Sequence, residues 1–251
     1  MAFKDHFSGV AAAYAEARPE YPDALFDALA AEAPPESLVW EPGAGSGQAT
    51  RGLAARFTHV HATDPSAAQL ARHWAQAGAA DVSLLVEPAE RTALGDASVQ
   101  LVAVAQALHW FDRPRFFAEC ERVLAPGGVL AAWGYQDFDP PPGLEAAVAQ
   151  FRTSIDPHWP AERVLVDARY AGFEWPFPAL EAPSLWLESH WPLPHFLRYL
   201  ASLSASARCA QATGDDPVER HAPAIRAAWG NPDAARPIRW PLFLHLRRKP
   251  D

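Results

Sequence analysis

Cysteine is scarce in this chain. Cys120 and Cys209 are the two among 251 residues, and neither falls in a metal-ligand or redox spacing. A disulfide-stapled scaffold is thereby excluded, and a reduced, cytoplasmic setting is expected. Long apolar runs are missing too, so no membrane-spanning helix is expected. The mixed opening Met1-Ala2-Phe3-Lys4-Asp5-His6 does not read as a secretory leader. Positive charge is short: 21 Lys and Arg stand against 30 Asp and Glu, a net charge of -9. Binding a phosphate backbone requires clustered cations, so no nucleic-acid partner is expected. The basic cluster Arg247-Arg248-Lys249 reads as a solvated tail. No Gly-x-Ser-x-Gly elbow is present, which leaves a hydrolase triad without support. Of the ten histidines, His59 and His61 would share a strand face, but no third ligand follows at a recognisable spacing, and no metal is expected.

What is there is an ordinary globular composition, 49% apolar and 20% charged, long enough for one large domain or a core carrying a cap. The 25 prolines, most of them in the second half, predict a loop-rich region there. A first helix is predicted from Asp23, as N-cap, to about Ala31, with Leu25, Phe26 and Leu29 on one face. Strands are predicted at Leu38–Trp40, Thr58–Asp64, Val82–Val86, Val99–Ala105 and Val129–Trp133. Between them fall helices at Ala49–Phe57, at Ala67–Ala77 closed by Gly78, and after Asp112, with Pro114 in the first turn. Strands alternating with helices over 37–135 predict an open, mostly parallel α/β sheet. From Gln136 onward, helical stretches near 144–155, 161–171 and 195–212 alternate with Pro- and Trp-rich turns. Late strands at Ser184–Trp191 and Ile238–Leu246 can pair antiparallel at one sheet edge. Residues 1–36 are then an arm and helix over the site, 37–135 the core, and 136–251 a cap with strands completing the sheet.

The chain is organised around Glu41-Pro42-Gly43-Ala44-Gly45-Ser46-Gly47-Gln48. A strand, a tight glycine turn and a helix in that order leave backbone on which a ligand can lie. The dinucleotide fingerprint G-x-G-x-x-G needs a third glycine at position 48, which is Gln. A carboxylate at 41 would repel a pyrophosphate and attract a ligand carrying an ammonium group.

These residues resemble the first motif of the class I S-adenosylmethionine-dependent methyltransferases. The resemblance continues through Asp64 at the end of the second strand, Ala89-Glu90 after the third, Gln106-Ala107-Leu108-His109-Trp110-Phe111-Asp112 after the fourth, and Arg122-Val123-Leu124-Ala125-Pro126-Gly127-Gly128. Tyr14, Arg18-Pro19 and Tyr21-Pro22, together with the His109-Trp110 segment, resemble the trans-aconitate methyltransferase-like subgroup. Tyr199-Leu200-Ala201-Ser202, Thr213–Pro217 and Trp240-Pro241 extend that likeness more loosely. Gln100 departs from the family, which commonly has an acid there, and Arg91-Thr92-Ala93-Leu94 replaces a proline-rich element. The resemblance implies a Rossmann-like, seven-stranded, mostly parallel sheet with an antiparallel edge and a helical cap, with S-adenosylmethionine as cofactor.

It also implies roles. Glu41, Gly43, Ala44 and Gly45 would contact the cofactor's amino-acid end, with Tyr14 and Arg18 helping. Asp64, beside Pro65, would accept from the ribose hydroxyls, and Ala89 and Glu90 would border the adenine, with Gln106 and Ala107 also on the cofactor side. Tyr21, His109, Trp110 and Tyr135 are candidates for the acceptor side. His109 is the leading general base and Tyr135 a weaker one, needed only if the acceptor is a hydroxyl or amine. A carboxylate acceptor is already ionised and needs none. The expected partner is a small-molecule acceptor, and the expected state a monomer or weak homodimer. Two other readings stay open: a module that binds S-adenosylmethionine or its product without catalysis, and a nicotinamide-dependent oxidoreductase.

Overall fold

The computed structural model describes residues 18–73, Ala75 and residues 81–251. Tyr14 and the expected helix end at Ala77-Gly78 lie outside the described residues. The first helix, α1, covers Asp23–Ala30 and buries Leu25, Phe26 and Leu29. Pro22, not Asp23, occupies its cap position. Asp23 instead pairs with Arg56, as does Asp27. β1 (Leu38–Pro42) leads through the glycine turn into α2 (Gln48–Ala54). β2 (His59–Thr63) is followed by α3, described as Ala67–Leu70. Then come β3 (Val82–Leu85), β4 (Val99–Ala105), α4 (Arg113–Val123) and β5 (Leu124–Tyr135). Asp112 caps α4 through a bond from the Arg115 N–H, and Pro114 sits in its first turn.

The sheet has eight strands in the order β3-β2-β1-β4-β5-β8-β6, with β7 also paired to β8. β3, β2, β1, β4 and β5 run parallel. β8 (Arg236–Arg248) lies antiparallel to β5, with Tyr135 opposite Leu242 and Val129 opposite Arg248. β7 (Leu185–Trp191) and the two-residue β6 (Ala179–Leu180) pair antiparallel with β8. The expected parallel core with an antiparallel edge is therefore present, with β6 as the strand beyond the seven.

Successive residues of a strand point to opposite faces, and here both faces are covered. Val39, Leu101, Ala103, Ala131 and Trp133 join a core with α1, α2 and the cap, while Trp40, Val102, Val104, Leu130 and Ala132 join a second core with Phe116, Phe117 and Cys120 of α4. The cap adds α5 (Glu145–Ile155), α6 (Arg163–Asp167), α7 (Leu193–Ala201), α8 (Ser204–Thr213) and α9 (Pro217–Trp229). Its Phe151, Phe196, Trp229 and Trp240 belong to the first core, so cap and sheet share one apolar interior.

One helix lies outside the expected stretches and one expectation fails, both through long-range packing. The run around Pro217 and Pro223 forms a helix, with Pro217 in the first turn and Pro223 inside it, because Val218, Ala222, Ile225 and Trp229 bury one face. Arg247-Arg248-Lys249 is no solvated tail. Arg248 belongs to β8, donates to the Gly127 carbonyl at 2.9 Å and pairs with Glu32, while Lys249 Nζ donates to the carbonyls of Glu121 and Leu124 at 2.6 Å.

Candidate functional site

β1 stands between β2 and β4, where the strand order reverses. In open α/β sheets a crevice opens at that point beyond the carboxyl ends of the strands. The glycine turn lies there, with Gly43, Gly45 and Gly47 all in the left-handed region, at φ 73°, 58° and 87°. Gly43 and Ala44 donate their N–H groups to the Thr63 carbonyl at 2.8 and 3.0 Å, tying the turn to β2. A side chain at Gly43 is doubly barred: beyond its left-handed φ, a Cβ would stand 2.9 Å from the Ala107 Cβ. At Gly45 a Cβ would meet nothing within 4 Å among the described residues, which leaves open space above the turn.

Two acids stand beside the turn. Asp64, just past β2, accepts from the Gly45 N–H through Oδ2 at 3.0 Å and from the Ser66 N–H through Oδ1 at 2.8 Å. Glu41, at the end of β1, is 1% exposed and accepts from the Thr50 hydroxyl through Oε2 at 2.5 Å. Its Oε1 is buried with no hydrogen-bond partner among the described residues. Burial pushes the Glu41 carboxyl up to about 8, against a lowering by Thr50 and with a smaller contribution from the charge of Asp64. Ala89 packs in the second core, while Glu90 accepts from the Asp112 N–H at 2.8 Å and so fastens the start of α4.

Beyond β4, Gln106 takes a left-handed φ of 50°, a conformation that costs energy for a residue with a side chain. Its amide brackets Tyr135, accepting from the Tyr135 N–H at 2.9 Å and donating to the Tyr135 carbonyl at 3.3 Å. Close approach allows this: a Cβ at Gly134 would fall 2.5 Å from the Gln106 Oε1. A short 3-10 turn, Leu108–Trp110, then carries His109, 8% exposed, with its ring 4.8 Å from that of Trp110. His109 Nδ1 lies 2.9 Å from the Tyr170 hydroxyl. Arg169 and Tyr170 are consecutive left-handed residues, at φ 51° and 56°, and Tyr170 stacks on Phe173 at 4.7 Å. Burial, and secondarily Arg163, drives the His109 imidazole down to about 3, so it is neutral at physiological pH. Burial likewise raises the Tyr170 phenol above its ordinary value.

His109, Trp110, Gln106 and Tyr135 line a partly open cavity of about 80 Å³ together with the cap residues Trp159, Arg163, Tyr199 and Ser204. Arg18 lines it too. Its guanidinium donates to the Tyr135 hydroxyl and to the Ser202 carbonyl, each at 3.2 Å, and lies 5.6 Å from the centre of the Tyr199 ring. Tyr21 packs edge-on against Trp133 at 5.8 Å and Tyr135 at 6.4 Å, behind the cavity. Arg163 lies over Trp159 at 4.4 Å and pairs with Asp167. Ten of the expected residues form two groups, while Ala89 packs in the second core, Glu90 lies at the start of α4 and Tyr21 is outside the cavity lining. Glu41, Gly43, Ala44, Gly45 and Asp64 meet at the turn, and Arg18, Gln106, His109, Trp110 and Tyr135 meet at the cavity.

Sequence reasoning passed over Thr50, His73, Trp159, Arg163 and Tyr170. The cap residues carried no local signal, since each reaches the site from a remote segment. Thr50 offered a faint one, lying close beyond the glycine turn on the helix that the turn begins.

Fold and site together define an α/β protein whose glycine turn and paired acids stand where the strand order reverses, the place at which such sheets bind ligands. The methyltransferase-domain family model matches residues 40–132, which run from β1 into β5. A solved structure from Anaeromyxobacter dehalogenans, assigned as a type II methyltransferase, is 42% identical with a TM-score of 0.86, covering 93% of this chain and 99% of its own. A Dictyostelium discoideum protein assigned as a methyltransferase is 28% identical over 255 residues, 98% of this chain and 96% of its own. An uncharacterised methyltransferase of Mycobacterium tuberculosis is 38% identical over 132 residues, 52% of this chain and 53% of its own. The chain belongs to the class I S-adenosylmethionine-dependent methyltransferases, and its cofactor is S-adenosylmethionine. Among the described residues no helix is long and apolar enough to cross a membrane.

Proposed function

We propose that this chain moves the methyl group of S-adenosylmethionine to a small molecule that presents a carboxylate to the cavity under the cap. The observation that carries this reading is the presence of two guanidinium groups, Arg18 and Arg163, against one acid, Asp137, which pairs with Arg152, beside His109, Trp110 and Tyr135 at the ends of β4 and β5. Guanidinium groups recognise carboxylates through charge-assisted hydrogen bonds. A partly open cavity of this size takes a small molecule or the end of one, and the net charge of -9 disfavours a nucleic acid. The resemblance to the trans-aconitate methyltransferase-like subgroup points the same way.

On this reading Glu41, Gly43, Ala44 and Gly45 hold the cofactor's amino-acid end. The partnerless Glu41 oxygen and the open space above Gly45 support that fit. Asp64, beside Pro65, accepts from the ribose hydroxyls, Ala89 and Glu90 border the adenine, and Gln106 and Ala107 close the crevice from the β4 side. The bound cofactor supplies an electrophilic methyl on a sulfonium, so the protein's work is to bind, align and desolvate. His109 is held neutral by burial, and the Tyr135 hydroxyl accepts from Arg18. Neither is arranged to take a proton, which suits an acceptor already ionised at neutral pH. His109 acts here as a hydrogen-bonding group and Tyr135 as a wall of the cavity.

The same two engaged side chains also favour a second reading, a protein that holds the cofactor without using it. Incubation with S-adenosylmethionine and a panel of small carboxylic acids, phenols and amines, read by mass spectrometry, separates the two. Methyl gain on carboxylic acids is the expected result. Gain on amines or phenols alone overturns the carboxylate assignment, and no gain with any acceptor favours the non-catalytic reading.

A further inference from the structure

Behind Glu41 runs a chain of hydrogen bonds that the transfer of a methyl group does not itself require. The Ala75 N–H donates to His73 Nδ1 at 3.2 Å, which fixes the ring proton on Nε2. His73 Nε2 lies 2.9 Å from the Thr50 hydroxyl oxygen, and with that proton in place it is the donor. The Thr50 hydroxyl has one hydrogen, and it goes to Glu41 Oε2 at 2.5 Å. All three side chains are buried, Glu41 at 1%, Thr50 at 0% and His73 at 2% exposure. They come from three separate elements: the end of β1, α2, and the segment after α3. The bonds from His73 to Thr50 and from Thr50 to Glu41 hold the carboxyl group with Oε2 engaged and Oε1 left without a partner among the described residues.

We propose that Thr50 and His73 are positioning residues for the cofactor's α-ammonium group: they hold Glu41 so that Oε1 alone is presented to that cation. The proposal rests on the cofactor occupying the glycine turn and adds the two residues that prepare the turn's acid for it. A carboxyl group pinned in advance loses no rotational freedom when the ligand arrives, and the ammonium satisfies the oxygen that is otherwise buried without a partner. The effect is therefore specific to one functional group of the ligand, which separates positioning from general packing.

Calorimetric titration of S-adenosylhomocysteine and of its desamino analogue, the same thioether without the α-ammonium, tests this. Wild-type protein, Thr50→Val, Thr50→Ser and His73→Phe are compared. Thr50→Val should bind S-adenosylhomocysteine about tenfold more weakly while its affinity for the desamino analogue changes by less than about twofold. Thr50→Ser, which restores the donor, should return affinity to within about twofold of wild type, and His73→Phe should fall between. Equal losses for both ligands overturn the proposal and leave Thr50 a packing residue. If Thr50→Val does not fold, His73→Phe carries the same comparison between the two ligands. Failure of the wild-type protein to bind S-adenosylhomocysteine overturns the cofactor assignment itself, a result distinct from equal losses.

Discussion

The two halves of the site are built from different material. At the glycine turn the partners are local: Gly43, Ala44, Gly45 and Ser66 use their backbone N–H groups, Glu41 is held by the Thr50 and His73 side chains, and Gly45 and Asp64 are only 19 residues apart. Under the cap they are side chains from remote segments. Arg18 reaches Ser202 across 184 residues, and His109 meets Tyr170 across 61. A site built from neighbouring segments tolerates change in remote ones as long as the turn and its own supports survive. A site built from remote side chains can be retuned one substitution at a time. The first half suits a ligand that stays the same, the second a ligand that varies.

The sharpest way to break this comparison is at the turn. Gly43→Val forces a branched residue into a left-handed conformation and onto Ala107, and should cost about 2–4 kcal/mol of stability, read as a lowered midpoint in denaturant. A variant as stable as wild type would mean that the backbone there is not fixed. Next is Asp64→Ala, which should weaken S-adenosylhomocysteine binding by about 1–3 kcal/mol in a calorimetric titration. An unchanged affinity removes Asp64 from the cofactor half.

Tyr170→Phe tests the other half. It strips His109 Nδ1 of its partner and should lower kcat/KM for the acceptor by about tenfold, while S-adenosylhomocysteine affinity stays within about twofold. Equal losses in both would show that the halves are not separable. The smallest effect expected is in pH dependence, because opposite contributions overlap. His109, lowered to about 3, and His73, lowered to about 4, contribute stability that is present above pH 6.5 and lost as pH falls towards those values. Glu41, raised to about 8, contributes stability that is present below 4.5 and lost as pH rises towards 8. Thermal midpoints of the ligand-free protein should therefore decline on both sides of a maximum, and Glu41→Gln should flatten the alkaline side. An alkaline limb that is unchanged in Glu41→Gln assigns it to another group.

The same contrast explains what could be read from the sequence. The parallel strands, the turn and Asp64 were legible because each rests on spacing within a few dozen residues: continuous apolar strands, glycines where the backbone turns left-handed, an acid ending the next strand. α9 was not, because Pro223 argues locally against a helix and only the burial of Ile225 and Trp229 overrides it. Arg248 was misread because its partners, Gly127 and Glu32, are far along the chain. Tyr170 carried no local signal at all, since its importance lies in where two left-handed residues aim its hydroxyl.

β8 comes after every other strand in the sequence, yet it pairs with β5, β6 and β7 at once. Until it docks, β5 presents an open edge, and apolar side chains such as Trp133 and Leu187 lack their final neighbours. The strand pairing that spans most sequence, Val129 with Arg248 among its contacts, is thus the one that seals the sheet. Pairings of such span close late in a folding chain, and an open strand edge can take the wrong partner until they do. Prolines at 237 and 241 interrupt the ladder that a stray β8 could offer, so the strand with most to pair is also the one least able to pair indiscriminately.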